Sequence, residues 1–171
     1  MPQAEERPGG TRFAGQPLTL IGPELKPGDS APDFAALDSS LKLIHLADTG
    51  RKTRLFNVVP SLDTPVCDAQ TRTLNQAAEQ LNDVDIYTVS MDLPFAQKRF
   101  CNSFALDNVR MISDHREGSF GEAYGTLIKE LRMLSRAIFV VGPDNKVKYV
   151  EYVPDMGDFP NISAALEAAK G

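Results

Sequence analysis

The chain has 171 residues, of which 42% are hydrophobic and 24% charged. That is enough apolar material for one domain with a sizeable core, and it excludes extended disorder. A net charge of −5 without any basic run argues against nucleic acid or an anionic membrane as partner. The longest apolar stretches, such as residues 137–141, are far too short to span a bilayer. The polar, acidic start over residues 1–6 has no basic n-region and no apolar h-region, so the protein reads as cytoplasmic.

In chain order, residues 1–12 read as a flexible N-terminus containing Pro8-Gly9-Gly10, ahead of a single domain over residues 13–171. Residues 11–13 and 18–20 read as a short β-hairpin through Gly15-Gln16-Pro17. Pro23, Pro27-Gly28 and Pro32 punctuate a connector. Two short strands follow, over 34–37 and 41–46. Residues 54–59 form the first long buried strand, with a helix from Val66 to about Leu81 behind it. A strand over 85–90, a helix from Pro94 to about Ser103, a strand over 109–113 and a short helix over 118–124 come next. Residues 137–141 and 146–152 flank the turn Pro143-Asp144-Asn145 and read as an antiparallel hairpin. A closing helix spans 161–169.

This order, with its βαβαβ centre and closing hairpin, predicts an α/β protein with a thioredoxin-like fold. A mixed central sheet is flanked by helices on both faces, preceded by an N-terminal β-hairpin. In open α/β sheets the reactive site lies beyond the carboxyl end of a strand, and the stretch Pro60 to Cys67 occupies such a place. Thr64 is a good N-cap and Pro65 suits the first helical position. Cys67 then falls at the third position, where free backbone N–H groups and the helix dipole favour an anion. A capping Thr64 side chain would accept from the helix and leave its own proton free to point at the sulfur. The two cysteines, Cys67 and Cys101, form no C-x-x-C, and neither His45 nor His115 stands at a ligand spacing from them. No metal and no cofactor are expected. The bland alternative is a pair of buried, inert thiols; the position of Cys67 at a helix start favours reactivity for that residue.

Pro60, Thr64 and Cys67 form P-x-x-x-T-x-x-C, which resembles the active-site pattern of the peroxiredoxins. The runs 61–67, 90–101 (Ser-Met-Asp-Leu-Pro-Phe-Ala-Gln-Lys-Arg-Phe-Cys) and 13–18 (Phe-Ala-Gly-Gln-Pro-Leu) resemble the family's thiol peroxidase branch, of the atypical two-cysteine type. The similarity covers nearly the whole chain from Phe13 onward. It implies a homodimer that reduces hydrogen peroxide and alkyl hydroperoxides with electrons from thioredoxin. Carried onto this sequence, Cys67 would be the peroxidatic cysteine and Cys101 the resolving one, joined in an intramolecular disulfide. Thr64 and Pro60 would shape the pocket, and Arg136 would be the distal arginine, with Arg132 nearby as the other candidate.

Those residue types suit the implied chemistry. A thiolate attacks one peroxide oxygen, alkoxide leaves, and the sulfur becomes a sulfenic acid. Negative charge spreads over sulfur and two oxygens, and fixed donors in a dry pocket would stabilise it. Arginine stays charged and presents a planar fork of donors. Proline walls a pocket without a competing N–H. Each residue also has a bland reading: Thr64 as a cap only, Pro60 as the end of a strand, Arg136 as a surface cation, and Asp92-Leu93-Pro94 as a helix start. Two rival functions on the same fold are a general thiol–disulfide oxidoreductase and a redox-switched binding protein.

Overall fold

The computed structural model describes residues 3–171. The first two strands, β1 (Glu6–Phe13) and β2 (Gln16–Ile21), pair antiparallel. Their two-residue loop has positive φ at Ala14 (50°) and Gly15 (79°), the arrangement that matches the twist of a tight hairpin. The strand thus starts well before Thr11, which corrects the expectation of a flexible segment over residues 6–12. Met1 and Pro2 lie outside the described residues. A polar, glycine-containing strand forms here because its side chains are tied down. Arg7 Nε donates to Gly22 O at 3.0 Å, Arg7 Nη2 donates to Gly125 O, and the guanidinium lies 5.1 Å from the centre of the Tyr152 ring. A register shift between Arg7 and Thr11, with Gly9 at φ 69°, absorbs the irregular sequence as a bulge.

Then come β3 (Ala36–Leu37), β4 (Leu43–Ile44), a 3-10 turn (Leu46–Thr49) and β5 (Thr53–Val58), all six residues of which are buried. The alternating units α1 (Pro65–Ala78), β6 (Val84–Ser90), α2 (Pro94–Phe104) and β7 (Val109–Ser113) follow. After them stand α3 (Ser119–Ala123), the short β8 (Leu127–Ile128), β9 (Ala137–Val141), β10 (Val147–Tyr152) and α4 (Ile162–Lys170). Sequence reading missed β8, a two-residue strand whose Leu127 and Ile128 pair with Ile21 and Leu20; it is too short to show a period of its own.

Seven strands form the main sheet in the order β10-β9-β5-β6-β7-β3-β4, and β1-β2-β8 form a second. β5, β6 and β7 run parallel, while β9 and β10 are antiparallel additions. The mixed thioredoxin-like sheet predicted from the order of elements is therefore present. Alternation splits the buried strands between two cores. Leu55, Ile86, Ile138 and Val140 face Leu74, Phe100 and Ala165 from α1, α2 and α4. Phe56, Tyr87 and Phe139 face Phe120 of α3, together with Phe34 and Tyr124. That second face is an aromatic cluster, with Phe120 and Tyr124 stacked at 4.1 Å.

One register places the site. β5 and β9 are antiparallel neighbours with Val58 opposite Ala137. The residue before β9, Arg136, therefore lies at the end of β5 from which Pro60 and the start of α1 emerge.

Candidate active site

At the end of β5 the ladder continues for one residue, Val59 N–H donating to Val89 O at 3.0 Å. Pro60, which is buried, has no N–H and ends it. The chain turns through Ser61 and Leu62 and enters α1, with Pro65 in its first turn and Thr64 at the N-cap in extended backbone geometry (φ −104°, ψ 146°). Cys67 occupies the third helical position, as its spacing predicts, and is 0% exposed. Thr64 departs from expectation. Its side chain makes no capping hydrogen bond to the helix; the hydroxyl instead donates to Ser61 O at 3.1 Å. The proton is thereby engaged in the preceding turn.

Arg136 meets the cysteine. Its Nη1 donates to Cys67 Sγ at 3.2 Å and to Gln70 Oε1 at 2.9 Å. Nε and Nη2 donate to Met156 O at 3.2 and 2.7 Å. Arg136 is 2% exposed, and no carboxylate lies within ion-pair distance of its guanidinium among the described residues. A buried cation held by two neutral acceptors, Gln70 Oε1 and Met156 O, with a sulfur as its third partner is a preorganised receptor for negative charge. The reading of Arg136 as a surface cation is thus corrected. Arg132 lies elsewhere: its backbone has φ 53°, and a side chain at Gly118 would meet its Nη2 at 3.5 Å.

The groups that aim Arg136 are ones the sequence did not single out. Gln70 stands three residues after Cys67, on the same helix face. Its Nε2 donates to Asn57 Oδ1. Asn57 Nδ2 in turn donates to Thr88 Oγ1 at 3.0 Å and Thr71 Oγ1 at 3.3 Å. A wholly buried amide ladder therefore runs from the central strands to the guanidinium, with its polar partners met. A polar Asn in the middle of an apolar strand was the available signal. Met156 is fixed from the other side, its N–H donating to Arg12 O at 2.9 Å. The N-terminal hairpin thus braces the carbonyl that holds the arginine.

Beside this pair opens a cavity of about 290 Å³ lined by Phe13, Pro60, Thr64, Pro65, Val66, Arg136, Met156 and Gly157. Its walls are almost wholly apolar. Pro60, Thr64, Cys67 and Arg136 are thus brought together. Cys101 stands apart, on α2. It is half-buried and packs against the same apolar cluster that contains Cys67. Burial, helped by the charge of Asp107, pushes its thiol up to about 11. Both cysteines are free thiols. The stretch Asp92-Leu93-Pro94 does start a helix: α2 begins at Pro94 with Leu93 at its N-cap, but the Asp92 side chain does not cap it. The Asp92 carboxylate accepts instead from Ser61 Oγ, Leu62 N–H and Ser90 Oγ. Among the described residues there is no group of three or more side chains able to hold a metal, and no helix is long and apolar enough to cross a membrane.

A thioredoxin-like sheet carrying a buried cysteine at a helix start, with an arginine on its sulfur, defines a thiol-reactive class of protein. The family model for Redoxin matches residues 26–166. Thiol peroxidases of Bacillus subtilis and Staphylococcus aureus (strain MRSA252) are each 52% identical over 158 residues, covering 92% of this chain and 95% and 96% of theirs. Among solved structures, a peroxiredoxin-like protein from Aquifex aeolicus superposes with TM-score 0.87 at 40% identity, covering 94% of this chain and 95% of that one. The thiol peroxidase from Chromobacterium violaceum superposes at 0.85 with 22% identity over 94% of each chain, a likeness of fold. The chain belongs to the redoxin family, in the thiol peroxidase branch of the peroxiredoxins, and its activity is thiol-dependent reduction of peroxides.

Proposed function

We propose that Cys67 is the peroxidatic cysteine and that Arg136 stabilises the charge developing during its attack. The observation that carries this is the 3.2 Å contact between Arg136 Nη1 and Cys67 Sγ in a buried, apolar-walled pocket. The Cys67 thiolate attacks the terminal oxygen of a hydroperoxide, the O–O bond breaks, and the alkoxide leaves as the alcohol after taking a proton. The guanidinium and the free backbone N–H groups of the first turn of α1 face that charge. Pro60 and Thr64 wall the approach. The apolar lining from Phe13, Val66 and Met156 suits an alkyl hydroperoxide as well as hydrogen peroxide.

Cys101 is the resolving cysteine in this scheme. Its sulfur displaces the hydroxyl of the Cys67 sulfenic acid, giving an intramolecular disulfide and water. Thioredoxin then reduces the disulfide by exchange, becoming oxidised itself. Its place against the apolar cluster that holds Cys67 supports the pairing. The enzyme acts as a homodimer in the cytoplasm; sedimentation of the reduced protein tests the assembly. The decisive experiment is peroxide consumption driven by a thioredoxin system, comparing wild type with Cys67→Ser and Cys101→Ser. Cys67→Ser loses all turnover, since a hydroxyl has nothing like a thiol's ionised fraction at neutral pH. Cys101→Ser completes one turnover and then stops. Sustained turnover by Cys67→Ser would remove that residue from the mechanism.

A further inference from the structure

Cys67 and Cys101 sit in separate intact helices, Cys67 in the first turn of α1 and fully buried. A disulfide needs the two Cα atoms within about 4.4–6.8 Å. A sulfur enclosed at a helix start meets a second helical cysteine only when the chain around it lets go. Whatever holds the turn before Cys67 therefore sets how long a sulfenic acid waits there.

Asp92 holds it. One carboxylate oxygen accepts from Ser61 Oγ at 2.9 Å; the other accepts from Leu62 N–H at 2.9 Å and Ser90 Oγ at 2.8 Å. Ser61 passes the restraint on. Its Oγ accepts from Asp63 N–H at 3.2 Å, and its carbonyl accepts from Thr64 N–H at 3.3 Å and Thr64 Oγ1 at 3.1 Å. The Thr64 carbonyl accepts from Asp68 N–H at 3.0 Å, the first bond of α1. On its other side, Asp92 stands two residues before Pro94, where α2 begins, and its own carbonyl accepts from Ser113 Oγ at 2.5 Å. The carboxylate enters no ion pair among the described residues. Two of its three donors belong to the active-site turn, and hydrogen bonds to a charged acceptor are the strong kind.

We propose that Asp92 is a positioning residue, a latch that ties the turn before Cys67 to the start of the Cys101 helix and so decides the fate of the Cys67 sulfenic acid. This rests on the Cys67–Cys101 bridge proposed above. In one fate the Cys101 sulfur bonds to the Cys67 sulfur, the S–O bond breaks, and the hydroxyl leaves with the Cys101 proton as water. In the other, a second hydroperoxide gives one oxygen to the Cys67 sulfur, producing a sulfinic acid and the alcohol. The closed latch keeps the sulfenic acid in the pocket and favours the second fate; the open latch favours the bridge.

The test gives the full-length wild type, Asp92→Asn and Ser61→Ala equal doses of cumene hydroperoxide. Peptide mass spectrometry then reads the ratio of bridge to Cys67 sulfinic acid. Asparagine keeps the shape but removes the negative charge and one acceptor oxygen, so its remaining contacts are no longer charge-assisted. The ratio rises on the order of tenfold in Asp92→Asn, the factor that about 1.4 kcal/mol carries and about what one hydrogen bond to a charged group contributes. It rises less in Ser61→Ala, which removes one of the two ties. Asp33→Asn, which loosens a carboxylate tie to Leu46 N–H outside the Asp92 network, leaves the ratio alone. An unchanged or lowered ratio in Asp92→Asn, or an equal rise in Asp33→Asn, overturns the latch. Should the wild type form no bridge at any dose, the resolving role of Cys101 fails on its own. Amide exchange in the reduced protein then decides the latch: residues 62–68 exchange on the order of tenfold faster in Asp92→Asn if it holds them, and at the wild-type rate if it does not.

Discussion

At the scale of single residues, the proposed mechanism asks most of Arg136. Its four hydrogen bonds to Cys67, Gln70 and Met156 fix the guanidinium where peroxide charge would develop. Removing one preorganised donor of this kind costs on the order of 10²–10³ in rate. Arg136→Ala should slow the peroxide step by that order, whereas Arg132→Ala, beside Gly118, should leave it near wild type. Lysine should not rescue position 136, because one ammonium cannot span a sulfur, an amide oxygen and a carbonyl in the same plane. The chain contains no tryptophan, so the step is best followed by competition with a chromogenic peroxidase. Cys101 makes the opposite case. With its thiol pushed up to about 11 by burial, the thiolate fraction at pH 7 is about 10⁻⁴ while the enzyme is folded and reduced. Iodoacetamide should therefore label Cys101 far more slowly than an unfolded thiol. Fast labelling of the native reduced protein would show that its helix opens freely at rest.

At the scale of elements, two helix starts are held by carboxylates that are not their N-caps. Asp92 secures the approach to α1 as described. Asp114, just beyond β7, accepts from Phe120 N–H at 2.9 Å and Gly121 N–H at 2.8 Å, the first-turn donors of the short helix α3. Burial pushes its carboxyl up to about 6, partly offset by those two N–H groups, with Glu122 raising it and Arg132 lowering it. The sign of the linkage follows. Between about pH 4 and 6 the folded protein holds a proton that the unfolded chain releases, so this group's contribution to stability falls as pH rises through that window. The full penalty is present above about pH 6, on the order of 3 kcal/mol for a two-unit rise. Urea denaturation at closely spaced pH values should show Asp114→Asn with a flatter decline over pH 4–6 than wild type. A slope identical to wild type would mean that Asp114 stays ionised throughout. The asparagine also gives up one of the two N–H contacts, so its stability at low pH should be the lower of the two proteins.

At the scale of the whole molecule, the helices that carry Cys67 and Cys101 follow adjacent parallel strands of the main sheet, β5 and β6. Oxidation to the proposed disulfide should cost exchange protection in the amides after Thr64 and around Cys101, while the buried strand β9, paired on both sides, keeps its protection. Loss of protection in β9 would mean that the sheet itself opens. The sequence alone was sufficient for this sheet's central strands and for the position of Cys67. Those signals are local: runs of buried apolar residues, a threonine at the N-cap position, a proline at the first helical position, and a family pattern compact enough to read in eight residues. It was insufficient for the start of β1, because Glu6 to Gly10 look polar and flexible until Arg7 reaches Gly22, Gly125 and Tyr152. Nor did it show which arginine meets the sulfur. Arg132 and Arg136 share one short segment, and only the antiparallel pairing of β9 with β5 puts residue 136 at the mouth of α1. The same holds for Gln70, Asn57, Met156 and Asp92, which meet partners 66 (Arg136), 31 (Thr88), 20 (Arg136) and 31 (Ser61) positions away along the chain. A helix start is made by neighbours in sequence. A charge receptor is made by neighbours in space, and those exist only once the strands have chosen their register.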